Sequence, residues 1–493
     1  MSRVITRRSM LRKLAAAVTV LTGALQAPVA FAKELGKHLE RIRGKVISRA
    51  DASYELWRSS MVWYLHKPER YPDIIVRSQS GQDVIEAVNH ARENGLKVSV
   101  RSTGHNPARA VLRDGGVLID LSHLRDVEID TVACTAWIEP GIRSEELIAL
   151  TEQQGLTFPA AHTGIVGLGG YLIGGGLGWN MPEWDLACRS ILAAEIVTAC
   201  GKKIIATPND HGDLLWAVRG AGPGFFGAVI RYKLQLYPLP TAITKSKYVV
   251  SIKKLPTVVK ELRKISSAKE KRLEIIAVIG RFAPSTLPPA ERELQCAISA
   301  IAFAHNRSEA EKLLSPVSRS EIPTMSELKR ENVEMTNAEL YAGQETDHSS
   351  PNRTAVENIW TDDPGGCLLK MAEYMLENPP ASPRSFALSA WGINPLQEDK
   401  TSCVNSPGKD YFSWYQMAEE PSHIKRNTEW MDTSVALMRP YTKGHYINEI
   451  DPLRYPQHVE ECFTTDSWEQ LAELRTKYDP DSLFWTYLGR DQA

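Results

Sequence analysis

Three glycine-rich segments are the places where this sequence could do chemistry. The first, Arg101-Ser102-Thr103-Gly104-His105-Asn106, closes a strand-like run and carries a histidine. The second, from Gly164 to Gly178, holds eight glycines. Each would cost about 1 kcal/mol against alanine in a helix. Such a run persists where a bulky ligand lies against bare backbone. A diphosphate held by main-chain N–H groups is a chemistry that fits. The third segment, Arg219 to Gly227, spells GxGxxG through Gly222, Gly224 and Gly227. A dinucleotide fingerprint must follow a strand and open a helix. Here the helical run Asp213–Val218 precedes it and the strand-like Ala228–Tyr232 follows. The order is reversed, so the fingerprint is rejected. Taken singly, each segment is equally consistent with a set of tight turns.

Metal chemistry has no such support. The seven cysteines, Cys134, Cys188, Cys200, Cys296, Cys367, Cys403 and Cys462, are scattered without a CxxC pair. That argues against a zinc or iron–sulfur centre, and no metal is expected. Their odd number leaves at least one outside any intramolecular disulfide. Cys134 and Cys200 sit in apolar, strand-like runs and read as buried thiols.

The elements that would position these segments follow from periodicity. Val84, Ala87, Val88 and Ala91 mark one helical face over Asp83–Asn94, and Gly95 stops it. Strands are expected at Lys97–Arg101, Gly116–Leu121, Ala136–Ile138 and Ile191–Thr198. Ser144 reads as the cap of a helix with Glu145 and Glu146 in its first turn. After Pro238-Leu239-Pro240 the character changes to long strands, such as Leu294–Ala304 and Ser385–Trp391, mixed with amphipathic helices. This suggests an antiparallel sheet covered by helices on one side. The polar stretch Ser315–Asp363 reads as loops over a site. Near the C-terminus, Trp468–Lys477 reads as a short helix. The turn and apolar tail from Tyr478 to Phe484 should dock on the N-terminal domain.

The bulk numbers agree with an enzyme-sized soluble chain. At 493 residues it can bury two or three cores. A net charge of -1 argues against a nucleic-acid partner. The N-terminus reads as an address. Arg7-Arg8 form a twin-arginine pattern, an Ala/Leu/Val-rich stretch follows from Leu14, and Ala30-Phe31-Ala32 is a small-x-small cleavage site. The apolar run is shorter than the ~20 residues a membrane span needs. Residues 1–32 are therefore expected to direct export to the periplasm or beyond by the twin-arginine route. No membrane partner is expected after cleavage.

At these residues the sequence resembles the berberine-bridge-enzyme-like family of FAD-linked oxidases, within the vanillyl-alcohol-oxidase group. Four motifs agree in order: Val100–His105, Gly167–Gly178, Asp213–Gly220 with Phe226-Gly227, and Lys477–Pro480 with Leu483-Phe484. The resemblance implies an α+β fold: a two-subdomain PCMH-type FAD-binding domain plus a substrate domain with an antiparallel sheet covered by helices. It places the FAD domain at 33–240 (core about 68–238) and the substrate domain at 241–440. Residues 441–493 return to the FAD domain. It implies that His105 bonds to the flavin 8α-methyl. It assigns cofactor contacts to Arg101, Ser102, Thr103, Gly104, Asn106, Thr163, Gly167, Gly169, Gly170, Gly174, Gly175, Gly227, Val229, Tyr446 and Asn448.

The departures from the family pattern sharpen that reading. Thr163 stands where many members carry a second, cysteinyl tether, so only the histidine bond is expected. Ala161, a small residue, mildly favours an oxidase using O2 over a dehydrogenase. Tyr171 stands where a histidine often follows the Gly-Gly pair. The family's Tyr-x-Asn-Tyr is Tyr446-Ile447-Asn448-Glu449 here. Glu449 is therefore the candidate base for the substrate proton, with Tyr446 and Tyr171 as further candidate catalytic residues. The alternative for Glu449 is solvent, or pairing with His445 or Arg454. Trp179, His445 and Asn394 are secondary candidates for substrate contact. The expected partners are a small organic molecule (alcohol, phenolic, sugar or secondary metabolite) and O2. Two other readings stay open: a periplasmic flavin dehydrogenase, and a ligand-binding protein that has lost catalysis.

Overall fold

In the computed structural model, residues 36–282, 286–347, 350–395 and 399–490 are described. The export signal expected at residues 1–32 lies outside them. No helix among the described residues is long and apolar enough to cross a membrane.

Two sheets build the N-terminal half. A four-stranded sheet runs in the order Lys45–Ser48, Ile74–Arg77, Val117–Asp120, Val98–Arg101. Its first pair is antiparallel and the others are parallel. The crossover helix Gly81–Glu93 packs on it through Val84, Ala87, Val88 and Ala91. Ser80 caps that helix by accepting the Asp83 N–H, and Gly95 leaves it at a φ of 64° that favours glycine. The second sheet is antiparallel, in the order Val127–Asp130, Thr135–Ile138, Gly227–Gln235, Ile191–Thr198, Lys203–Ala206. The apolar C-terminal tail docks on the first sheet. Phe484 bridges Val98, with Val98 N donating to Leu483 O at 2.8 Å and Trp485 N to Val98 O at 2.9 Å.

The middle of the chain forms a seven-stranded antiparallel sheet. Its order is Leu328–Met335, Ala242–Ser251, Gln295–Ala304, Leu273–Gly280, Phe386–Trp391, Asp410–Met417, Arg353–Thr361. Residues on alternate positions, such as Ile275, Ala277, Ile279, Phe412 and Trp414, share a core with the helices Leu255–Ser266, Arg307–Ser318, Pro364–Glu377 and Pro421–Met438. The intervening positions face the N-terminal half. The fold is thus α+β, with helices covering one side of the antiparallel sheet.

Three local expectations are corrected. Arg143, not Ser144, is the N-cap, and Ser144 begins the helix with its hydroxyl on Val166 O. Cys134 is half-buried and Cys200 exposed, because both sit in hairpin turns rather than in the adjoining strands. All seven cysteines are free thiols. The polar stretch Ser315–Asp363 is largely regular structure. It supplies both edge strands of the large sheet and the helix Asn337–Asp347. Its polarity follows from the exposed edge strand Leu328–Met335.

Candidate active site

One cavity of about 320 Å³ lies between the two halves. It falls at the lower end of the range for small-molecule and cofactor sites, ~300–1,000 Å³. His105, Arg101, Ser102, Thr103, Gly104, Asn106, Thr163, Gly167, Gly169, Gly170, Tyr171, Gly227, Val229, Tyr446, Asn448 and Glu449 all line it.

The first loop leaves the strand Val98–Arg101 and is fixed from both sides. Arg101 donates to Met61 O at 2.8 Å and to Thr103 O at 3.1 Å, and pairs with buried Asp120. Burial alone would raise the Asp120 pKa, but Arg101 and Arg77 hold it below the ordinary carboxylate value. Gly104 has φ 78°, and a Cβ there would stand 2.3 Å from Met61 O. Ser102 donates to Pro140 O at 2.6 Å, and Thr103 Oγ1 accepts the Gly167 N–H at 2.8 Å. The loop so held presents His105 beneath Trp63, with ring centroids 4.8 Å apart. Tyr64 donates to His105 O at 3.1 Å. Burial, reinforced by Arg101, Arg353 and Arg143, pushes the His105 pKa down to about 3. Its imidazole is therefore neutral, the nucleophilic form, at ordinary pH.

The backbone suits an anionic ligand. Among the described residues, the N–H groups of Ser102, Thr103, Gly104, His105 and Asn106 have no protein acceptor. Successive free N–H groups of this kind form an anion cradle. In the second loop, a Cβ on Gly170 would meet nothing within 4 Å, so it would project into the cavity. A Cβ on Gly167 would strike Thr103 at 2.4 Å. Gly174 and Gly175 do not line the cavity. They lie behind it, where a Cβ would meet the Asn448 side chain at 2.2 Å or the Tyr446 ring at 3.2 Å.

The remaining wall comes from the C-terminal segment and the large sheet. Asn358 clasps the Tyr446 backbone, accepting its N–H at 2.7 Å and donating to its carbonyl at 3.0 Å. The Tyr446 hydroxyl oxygen accepts from Gly176 N, Leu177 N and Asn448 Nδ2 at 3.1, 3.4 and 3.0 Å. Glu449 Oε2 accepts from Tyr411 and Tyr415, at 2.6 and 2.9 Å. It does not pair with His445 or Arg454. The two phenols are pushed well up by burial and by the Glu449 charge, so both remain donors. Arg353 stacks over the Tyr415 ring at 4.4 Å. Burial would lower its pKa, but Tyr64, Tyr415 and Glu449 outweigh this and keep it cationic.

Four candidates sit differently from expectation. Tyr171 lines the cavity, yet its hydroxyl donates to Pro159 O at 2.6 Å, which commits its proton to the backbone. Trp179 and Asn394 are not on the cavity wall. His445 is buried outside the cavity, stacked on His458 at 3.9 Å, with Nδ1 on Asn358 O. Tyr411, Tyr415 and Arg353 were not read from sequence. For the two tyrosines the signal was the period-two run Asp410-Tyr411-Phe412-Ser413-Trp414-Tyr415, in which Tyr411, Ser413 and Tyr415 share one face.

Comparison with known proteins decides what the cradle holds. The FAD binding domain family matches residues 72–207. The FAD-linked oxidoreductase nodO of Hypoxylon pulicicidum is 26% identical over 452 residues, covering 88% of this chain and 97% of that protein. The chain is thus similar over most of its length to a FAD-linked oxidoreductase and carries a match to the FAD binding domain. It is also 39% identical over 202 residues to (R)-6-hydroxynicotine oxidase of Paenarthrobacter nicotinovorans, covering 40% of this chain and 43% of that one. It shares its fold with a berberine-bridge-enzyme-like protein of Physcomitrella patens, at TM-score 0.78 and 18% identity, covering 93% and 98%. The cradle and the open face of Gly170 fit an FAD diphosphate laid against the two loops.

Proposed function

We propose that the protein is an exported oxidase that carries FAD on His105 alone, oxidises a small organic substrate and passes the electrons to O2. The observation that carries this reading is the shared cavity. A neutral imidazole, five free backbone N–H groups and a carboxylate line one wall system. FAD, when bound, supplies the acceptor for a hydride. His105 would hold it covalently, and Thr163 offers no thiol for a second bond. Glu449 takes the proton of the substrate hydroxyl or amine through Oε1, while Tyr411 and Tyr415 steady Oε2. Tyr446, whose oxygen accepts three N–H groups, is fixed on the cavity wall as a positioning group. Tyr171 serves as wall rather than as acid or base. The oxidase name of a relative 39% identical over 202 residues favours O2 as acceptor. The twin-arginine pattern favours export of the folded, loaded enzyme.

A panel of alcohols, phenolics, sugars and cyclic amines added under nitrogen tests this function. Bleaching of the yellow enzyme by one class, with recovery in air and release of H2O2, is the expected result. Bleaching that reverses only with an added quinone makes the protein a dehydrogenase. No bleaching by any class leaves it a flavin carrier.

A further inference from the structure

A second proton-transfer group lies on the cavity wall. His162, between Ala161 and Thr163, lines the cavity. Its Nε2 lies 3.1 Å from Oε1 of Glu274, a carboxylate buried at the start of the strand Leu273–Gly280. The other carboxylate oxygen, Oε2, accepts the Asn180 N–H at 2.8 Å. Both oxygens of Glu274 are thereby committed, and the imidazole is oriented. Trp179 packs edge-on against the same ring at 4.3 Å. Among the described residues, His162 Nδ1 has no partner. A cavity-lining imidazole backed by a buried, oriented carboxylate is the arrangement of a working acid–base group. The dyad also joins the two halves of the molecule, since His162 comes from the FAD-binding half and Glu274 from the large sheet.

The chemistry of the two wall groups divides the work. The Glu449 carboxylate accepts two phenol hydroxyls and suits removal of a proton from substrate. It would repel the negative charge that develops when dioxygen gains electrons. An imidazolium beside a buried carboxylate does the opposite: it stabilises developing negative charge and can give up a proton. On the oxidase reading above, we propose that His162, oriented by Glu274, supplies the proton that dioxygen needs when the reduced enzyme is reoxidised. The balance closes. Substrate loses a hydride equivalent and a proton, the proton going to Glu449. Dioxygen gains that hydride equivalent, two electrons and one hydrogen, together with one proton from His162 Nδ1, and leaves as H2O2. Glu449 returns its proton to solvent, from which His162 is recharged.

Other titratable groups face this dyad. Lys269 donates to Leu273 O and feels the charges of Glu274 and Asp410, and burial pulls its pKa down to about 8. Tyr171 also feels Glu274, but burial keeps its phenol protonated. Neither is a hydrogen-bond partner of the His162 ring.

The test needs no knowledge of the substrate. The holoenzyme is reduced by light under nitrogen and mixed with oxygenated buffer across pH 5–9. The wild-type rate constant should fall as pH rises. Changing His162→Gln should lower it about 100-fold at the acid end and flatten the profile. An independent readout is the proton NMR signal of the His162 ring, assigned by its loss in the Gln variant. Changing Glu274→Gln should move that signal and slow reoxidation, through loss of the carboxylate that orients the ring. If His162→Gln keeps the wild-type rate and profile, or Glu274→Gln leaves the ring signal unmoved, the inference falls and the oxidase reading stands. If the reduced wild-type enzyme reacts with a quinone but not with oxygen, the oxidase reading falls and takes this inference with it.

Discussion

Glu449 Oε2 accepts the Tyr411 hydroxyl at 2.6 Å. The contact ties the C-terminal turn to the large sheet and fixes the carboxylate on the cavity wall. It leaves Oε1 to act on a ligand. Glu449→Gln should slow anaerobic reduction by substrate about 100- to 10,000-fold, the usual worth of a general base. The bound flavin absorbance should be unchanged. Tyr411→Phe removes only one support and should cost far less. Stopped-flow reduction kinetics on both variants check the difference. Equal reduction rates in wild type and Glu449→Gln would remove Glu449 from the mechanism.

Gly170 offers a cleaner probe of cofactor binding than the other glycines. A Cβ at Gly174 would collide with Asn448 at 2.2 Å, so replacing it disturbs packing. A side chain at Gly170 meets no protein atom and enters the cavity. Gly170→Leu should therefore fold, with wild-type circular dichroism, yet purify without FAD. Normal flavin content in this variant would move the diphosphate away from the second loop.

Glu357 supplies a pH dependence. It is buried beside His458, 3.1 Å from its Nδ1, and accepts the Asp451 N–H at 2.7 Å. Burial pushes its pKa up from 4.5 to about 8. Burial pushes that of His458 down from 6.5 to about 4. A raised carboxyl keeps its proton longer in the folded state, so Glu357 costs stability as pH rises from 4.5 towards 8. A lowered imidazole costs stability as pH falls from 6.5 towards 4. The two oppose one another below pH 6.5, and Glu357 acts without that opposition between 6.5 and 8. Thermal unfolding of wild type should thus lose Tm relative to Glu357→Gln across pH 6.5–8. Parallel Tm curves for the two proteins over that window would contradict the assignment.

Local elements were legible where the hydrophobic period was clean. Val84, Ala87, Val88 and Ala91 marked their helix within two residues at either end, and the alternation of Ser385–Trp391 marked its strand. The glycine loops were legible because glycine is needed there, as Gly104 against Met61 O shows. What periodicity could not carry was long-range placement. Cys134 and Cys200 looked buried because their neighbours are apolar, but the turns that expose them depend on hairpin register. Glu449 was read as a candidate, while its partners Tyr411 and Tyr415 lie more than 30 residues away in sequence. His445 looked like a site residue because it precedes Tyr446. The chain instead turns it inward onto His458, a direction set by Asn358. His162 was passed over because its significance comes from Glu274, which only the packing of the two halves brings near.

His105 is the point where the proposed cofactor attachment is made. The direct measurement is the mass of the tryptic peptide Ser102–Arg109 from denatured protein. The account predicts that this peptide carries the mass of one FAD, that its fragments place the addition on His105, and that His105→Ala abolishes it. An unmodified Ser102–Arg109 peptide from yellow, active enzyme would contradict it, as would an FAD addition on any other residue.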